Sequence, residues 1–325
     1  MNVLVSSAGR RGQLVRLIRD TIQPLGGRVH AIDASEWSAA CRIADSWGRV
    51  SRCDHATFEQ EVLDYCLANE IRLVIPTIDT ELPMMARFRA RFAACGIDVA
   101  TSGIETISIA ADKVATARFL ADANLPTVKT YSEQEIARGE VTFPALLKPR
   151  FGSASSGIHI IQDVTELQFF WQRVADPIVQ ELATGREYTV NFYIDRQKIV
   201  RAAVPHWRVE TRGGEVSKCV TVRQEQLITL AREIGDRLPS DAWGPMCYQA
   251  FVAGYGKIKI IEINARLGGG YPIAHSAGAN FLQMLIDDVL GNSIASVTDW
   301  QAGLAMTRWD DAVFTAMPDI QERVA

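Results

Sequence analysis

The chain lacks any Cys-x-x-Cys pair: its six cysteines, Cys41, Cys53, Cys66, Cys95, Cys219 and Cys247, are dispersed. That excludes a zinc knuckle and a disulfide framework, and leaves reduced packing residues. No apolar run is long enough for a bilayer. Nor is there an excess of charge of one sign. Lys and Arg total 34 against 38 Asp and Glu, net −4, so nothing electrostatic points to nucleic acid or an anionic membrane surface as a partner. There is no internal repeat, no Gly-Lys-Ser/Thr phosphate loop and no nucleophile elbow. Met1 to Val5 reads as an immediate strand and not as a charged leader, so the expected compartment is the cytoplasm.

What is present is 325 residues of ordinary globular composition, enough for two or three modules. The first hundred residues alternate short apolar runs with amphipathic stretches, a doubly wound α/β pattern. A helix over 82–94, a strand over 97–100 and the polar break Thr101-Ser102-Gly103 place the first boundary at 103. From 104 to 182 the pattern is a small α+β unit, with strands at 127–131, 145–148, 158–161 and 178–181. From 183 to 325 strand-like runs at 188–194, 199–204 and 216–222, a helix at 224–238 and a final hairpin describe a larger antiparallel sheet.

That hairpin carries the strongest chemical signal. Strand alternation over Ile260 to Arg266 sets Glu262, Asn264 and Arg266 on one face and Ile261, Ile263 and Ala265 on the other. Cys247 to Val252 reads as its partner strand, with Gly254-Tyr255-Gly256 as the turn, which sets Gln249 beside Glu262. One carboxylate and two amide carbonyls are hard oxygen donors of low net charge, suited to Mg2+ already bound to a nucleotide triphosphate. Arg266 would meet a phosphoryl group. The run Gly268-Gly269-Gly270 leaves bare amides able to approach an anion. The competing reading is a sheet face that simply meets water.

Upstream, the loop Gly152-Ser153-Ala154-Ser155-Ser156-Gly157 lies between two strands and is fit to fold over a phosphate. Lys148, closing the strand before it, aims a fixed charge at that anion, and Lys113, in an Asp-Lys pair opening a helix, supplies a second. The linker Glu181-Leu182-Ala183 offers backbone groups to an adenine edge, and Glu187 a carboxylate to ribose hydroxyls.

The order and spacing of these parts resemble the ATP-grasp superfamily, in particular its carbamoyl-phosphate-synthase-like branch and the small carboxylate–amine ligases. The resemblance implies an ATP-grasp fold: an N-terminal doubly wound α/β (pre-ATP-grasp) domain, a small α+β lid and a larger antiparallel-sheet domain. It implies ATP and Mg2+, with Mn2+ as the alternative ion, and Gln249, Glu262 and Asn264 as metal ligands. Lys113, Lys148 and the loop from Gly152 to Gly157 would hold phosphates, Glu181 to Ala183 adenine, and Glu187 ribose. Arg266 and Lys148 would stabilise the phosphoryl group in transfer. The acceptor side of the cleft would draw on Arg10, Arg11, Thr77, Asp79, Glu81, Arg208, Arg212, Gly269, Tyr271 and His275. Full carbamoyl phosphate synthases duplicate this unit, and no second copy is present here.

The expected activity is therefore activation of a small carboxylate as an acyl phosphate for attack by an amine. Phosphorylation of bicarbonate or carbamate is the alternative on the same apparatus, and an ATP sensor without turnover the alternative from another class. A dehydrogenase on the N-terminal domain is disfavoured, because Ser6 to Arg11 holds one of the glycines a dinucleotide fingerprint needs. The substrates expected are a small-molecule acid and an amine, with homodimerisation left open.

Overall fold

The computed structural model describes residues 1–152 and 157–316. The chain opens with strands and helices in alternation: β1 (Asn2–Ser6), α1 (Gly12–Ile22), β2 (Val29–Asp33), α2 (Ala39–Ile43), β3 (Ser46–Arg49), α3 (Phe58–Ala68), β4 (Ile71–Pro76), α4 (Leu82–Ala94) and β5 (Asp98–Val99). The five strands pair in parallel in the order β3-β2-β1-β4-β5. Near-continuous Val, Leu and Ile in β1 and β4 suit a sheet covered on both faces. The edge strand β3 falls where the sequence reads only an amphipathic stretch, because Ser46-Trp47-Gly48-Arg49 buries no residue fully.

A smaller unit follows: α5 (Ile104–Ala111), α6 (Lys113–Asp122), β6 (Thr130–Tyr131), α7 (Glu133–Ala137), β7 (Ala145–Pro149), β8 (His159–Ile161), α8 (Val164–Trp171) and β9 (Pro177–Glu181). Its four strands are antiparallel in the order β6-β9-β7-β8, around Leu147, Ile161, Leu167 and Val179. Asp112 separates α5 from α6 and caps α6 by accepting from the Val114 amide at 2.9 Å. The same carboxylate takes both ends of the Arg150 guanidinium, at 2.9 and 2.6 Å, which ties the loop after β7 to the start of α6.

The remainder is β10 (Arg186–Ile194), β11 (Val200–Arg212), β12 (Glu215–Thr221), α9 (Glu225–Arg237), β13 (Gly244–Val252), β14 (Ile258–Asn264), α10 (Tyr271–Ser276), α11 (Phe281–Leu290) and β15 (Ala305–Thr307). The strands form an antiparallel sheet in the order β14-β13-β10-β11-β12-β15. One apolar core runs from Val3 and Val5 through Leu14 and Ile18 of α1, and Phe281 and Leu285 of α11, to Val190 and Phe192 of β10. Continuous burial of that kind makes the N-terminal sheet and the large sheet a single support for the cleft between them. Asp241, just before β13, strengthens the junction by capping α5 across the boundary: it accepts from Glu105 N at 2.9 Å, Thr106 N at 3.2 Å and Thr106 Oγ1 at 2.6 Å.

Among the described residues no helix is long and apolar enough to cross a membrane.

Candidate active site

A cleft of about 410 Å³ is lined by residues of the small and the large sheet and by the segments that follow β1 and β4 of the N-terminal sheet. One wall is the β13–β14 hairpin. Gln249 pairs with Glu262 and Cys247 with Asn264 in the ladder, so the register expected from the sequence brings Gln249, Glu262 and Asn264 to one face, and all three line the cleft. A β-bulge after Gln249 shifts the pairing to Ala250–Ile260. The bulge changes one assignment. Ile261, expected on the buried face with Ile263, lies on the cleft wall, and Ile260 and Ile263 fill the core in its place.

The polar groups on this wall are already organised. Asn264 Nδ2 donates to Glu262 Oε1 at 3.1 Å, and Gln249 Nε2 donates to the same oxygen. Both amides thus point their N–H groups at the carboxylate. Among the described residues no group of three His, Cys, Asp or Glu is placed to hold a metal. This site differs from such clusters in having one carboxylate and two amide oxygens, an all-oxygen set that fits Mg2+ carried by nucleotide phosphates.

Across from the hairpin stand two lysines. Lys148, at the end of β7, is 3% exposed. Burial pushes its ammonium down to about 8, with Glu262 opposing and Lys113 adding to the shift. Lys113 is also lowered by burial, with Glu262 opposing. Its Nζ donates to the carbonyls of Gly152 at 2.8 Å and Arg150 at 3.3 Å. Lys113 therefore holds the entry to the Ser/Gly loop as well as facing the cleft. Ser153, Ser155 and Ser156 lie outside the described residues. Gly152, at φ +103, lines the cleft, whereas Gly157, at φ +70, does not.

Glu187 lines the cleft, and burial raises its carboxyl, with Arg208 opposing. Glu181, Leu182 and Ala183 do not line it. The Glu181 amide is spent on Lys129 O at 2.9 Å and its carboxylate pairs with Lys259.

The other end of the cleft is built from distant segments. Arg266 forms an ion pair with Asp79, between β4 and α4. Burial works against the Arg266 charge, yet Asp79 more than offsets it and holds the guanidinium above its usual pKa. Arg11 donates to Thr77 O at 3.3 Å and lies 3.5 Å from Glu215. Arg308, beyond β15, pairs with the other oxygen of Glu215 at 3.1 Å and donates to Gly269 O. Burial raises the Glu215 carboxyl, but Arg11 and Arg308 together hold it below the usual range.

The three glycines have close neighbours, and at Gly270 a side chain would force a shift. A Cβ on Gly268 would sit 3.0 Å from Cys247 Sγ, one on Gly269 3.1 Å from Glu215, and one on Gly270 2.6 Å from His206 Nε2. Burial drives that histidine down to about 3, so it stays neutral.

Several acceptor-side expectations need correction. Glu81 is fully buried. It accepts from Ser6 Oγ at 2.7 Å, Ser7 Oγ at 2.9 Å, Thr77 N at 2.7 Å and Ile78 N at 3.2 Å, and so fastens the loops after β1 and β4. It has no capacity left for a ligand. Tyr271 is core: its ring packs on Phe281 and its hydroxyl meets His275 Nδ1 at 3.0 Å, so neither it nor His275 faces the cleft. Arg212 pairs with Asp310 at the exposed hairpin tip, and Arg10 is exposed and also outside the cleft lining. Asp79, Arg208, Gly269, Arg11 and Thr77 do line it. Sequence reasoning missed Glu215 and Arg308. Glu215 had a signal, a charged residue directly after the Gly213-Gly214 turn; Arg308 had none.

In the N-terminal domain Asp33, ending β2, accepts from Gly9 N at 2.7 Å and Ser35 N at 2.8 Å, which ties the loop after β1 to the loop after β2.

An oxygen-donor hairpin faces one buried lysine, Lys148, and one half-buried lysine, Lys113, under a small antiparallel sheet, a set of groups suited to the phosphates of a metal-bound nucleotide. Residues 3–100 match the family described as PylC-like, N-terminal domain, and residues 110–270 match the ATP-grasp domain. The chain belongs to the ATP-grasp superfamily, whose enzymes use ATP and Mg2+ and form ADP. It is 23% identical over 226 residues to D-alanine--D-alanine ligase of Pseudomonas entomophila, covering 62% of this chain and 70% of that one. A Fusobacterium nucleatum protein of the same name is 23% identical over 176 residues, and the chain spans 60% of its length. The biotin carboxylase domain of Hydrogenobacter thermophilus 2-oxoglutarate carboxylase, solved with MgADP, ADP and bicarbonate, superposes with TM-score 0.77 at 18% identity, over 94% of this chain and 73% of that one. N5-carboxyaminoimidazole synthetase of Staphylococcus aureus with ADP gives 0.73 at 14% identity, over 91% and 78%.

Proposed function

We propose that this ATP-grasp enzyme phosphorylates a small carboxylic acid with ATP and joins the resulting acyl group to an amine, releasing ADP and phosphate. The observation that carries this reading is the Gln249–Glu262–Asn264 wall facing Lys148 and Lys113. When bound, Mg2+ with the nucleotide supplies charge neutralisation at the transferring phosphoryl group. Lys148, desolvated and aimed into the cleft, offsets the charge that spreads over that group. Lys113 holds the phosphate loop at its Gly152 end. Glu187 would hold ribose, and Ile261, Phe251 and Leu146 supply apolar wall.

At the far end, the arginines govern the acid. Arg266 is oriented by Asp79, and its buried Nε has no hydrogen-bond partner among the described residues, so it retains a donor for an anionic oxygen. No side-chain nucleophile is needed, since the amine attacks the activated carbonyl directly and the enzyme's task is positioning and exclusion of water.

Phosphorylation of bicarbonate is the second reading, favoured by the likeness to a biotin carboxylase domain solved with that anion. That domain is described as a dimer, and homodimerisation is part of this proposal.

The test is a panel of acids and amines incubated with purified protein, ATP and Mg2+. ADP and phosphate released only with one acid–amine pair support the ligase. ADP released with bicarbonate alone supports the second reading, and AMP as the product rejects both.

A further inference from the structure

Arg208, on β11, is the side chain whose bonds conflict most directly with the proposed use of the cleft. Its Nη1 donates to Gln249 Oε1 at 2.6 Å, and its Nε lies 3.3 Å from Glu187 Oε1, without the alignment for a hydrogen bond. Its Nη2 donates to Gly214 O at 3.1 Å. The side chain is 7% exposed. One guanidinium thus joins a metal-ligand candidate, the ribose-binding candidate and the tip of the β11–β12 hairpin.

The Gln249 amide is engaged at both its nitrogen and its oxygen in this arrangement. Its N–H group is turned to Glu262, and its only oxygen is turned to Arg208. A metal ion held by Gln249 would draw on that same oxygen, and its double charge would weaken the guanidinium's short bond there. Glu187 would likewise turn to ribose hydroxyls. The contacts of Arg208 to Gln249 and Glu187 would therefore weaken together, while its tie to Gly214 and its longer contact to Thr189 Oγ1 at 3.5 Å are untouched.

Resting on the ligase reading above, we propose that Arg208 is a positioning residue that stands in for the metal. In the nucleotide-free enzyme it bonds the Gln249 oxygen and pairs with the Glu187 carboxylate, and on arrival of Mg2+ with nucleotide it is released toward the acceptor end. The release carries the tip with it. Gly213 and Gly214, at φ +58 and +76, form the turn, and the next residue is Glu215, which Arg11 and Arg308 hold against Gly269. Occupation of the nucleotide end thereby reaches the acceptor wall through one side chain, and the acid meets a freed guanidinium only once the nucleotide is seated.

The experiment compares ADP affinity, by calorimetry, with and without Mg2+ in the wild type and in Arg208→Met. Because Arg208 competes with the ion for Gln249, the gain in ADP affinity that Mg2+ confers is expected to be about tenfold larger in the variant. A merely structural role would leave that gain unchanged or reduce it, and either result overturns the proposal. Should the variant fail to fold, hydrogen exchange of residues 210–217 in ADP-saturated wild type decides: exchange that shifts on adding Mg2+ supports the coupling, and exchange indifferent to Mg2+ overturns it. Absence of any MgADP binding by the wild type would instead remove the ligase reading itself.

Discussion

The two ends of the cleft are built in opposite ways. The end we propose for the nucleotide takes its donors from one hairpin, where Gln249, Glu262 and Asn264 are fixed by strand register, and from lysines at the end of β7 and the start of α6. The acceptor end is assembled from ion pairs between remote segments: Arg266 with Asp79, and Arg11 and Arg308 with Glu215. In the first the charged groups are kept for a ligand at some cost in stability; in the second they largely satisfy each other. Substitutions at the nucleotide end should therefore remove function and spare the fold. Those at the acceptor end should weaken the fold and spare nucleotide binding.

The largest effect expected is that of Glu262→Gln, which should lower turnover by at least about 10³-fold, as loss of a group stabilising developing charge does. ADP release measures it, and the melting temperature should hardly move. Retained turnover would break the comparison at its stronger side.

Next comes Asp79→Ala, which leaves the Arg266 guanidinium buried without its partner and should cost about 3–5 kcal/mol of stability in denaturant titration. ADP affinity should stay within a few-fold of wild type.

Lys148→Met sharpens the contrast, since one residue should move both properties in opposite directions. Folding lowers the Lys148 ammonium from 10.5 to about 8. Its stability contribution is thus fully present above 10.5 and lost as pH falls through about 8, so at neutral pH the charged group opposes folding. The variant should be more stable than wild type by about 1–3 kcal/mol at pH 7, with ADP binding weakened at least tenfold. In the wild type, ADP affinity should fall as pH rises past about 8. A pH-independent affinity between 7 and 9.5 would contradict the assignment of Lys148.

The smallest effect is that of Glu215→Gln. Its ion pairs are partly exposed, so about 1 kcal/mol or less of stability is at stake, with ADP affinity unchanged.

The same contrast explains what the sequence could reveal. Strand period and a glycine-bounded turn specify the pairing of Gln249 with Glu262, because both partners sit within one local element. The bulge that turns Ile261 into the cleft left no trace, since it depends on how β14 bends against its neighbour. Glu81 and Tyr271 have the residue types of a binding site, yet each is consumed internally, Glu81 by four hydrogen bonds to two loops and Tyr271 by packing on Phe281. No spacing rule announces that. Arg308 joins Glu215 across 93 residues of sequence, and only the placement of β15 on the sheet edge brings them together.

The most direct test of the account is a crystal structure with ADP and Mn2+, the metal located by its anomalous signal. The account predicts a Mn2+ peak within coordination distance of Glu262 and of the side-chain oxygens of Gln249 and Asn264, with the phosphates reaching toward Lys148. A metal bound elsewhere, with those three side chains still bonded to one another and to Arg208, would contradict it.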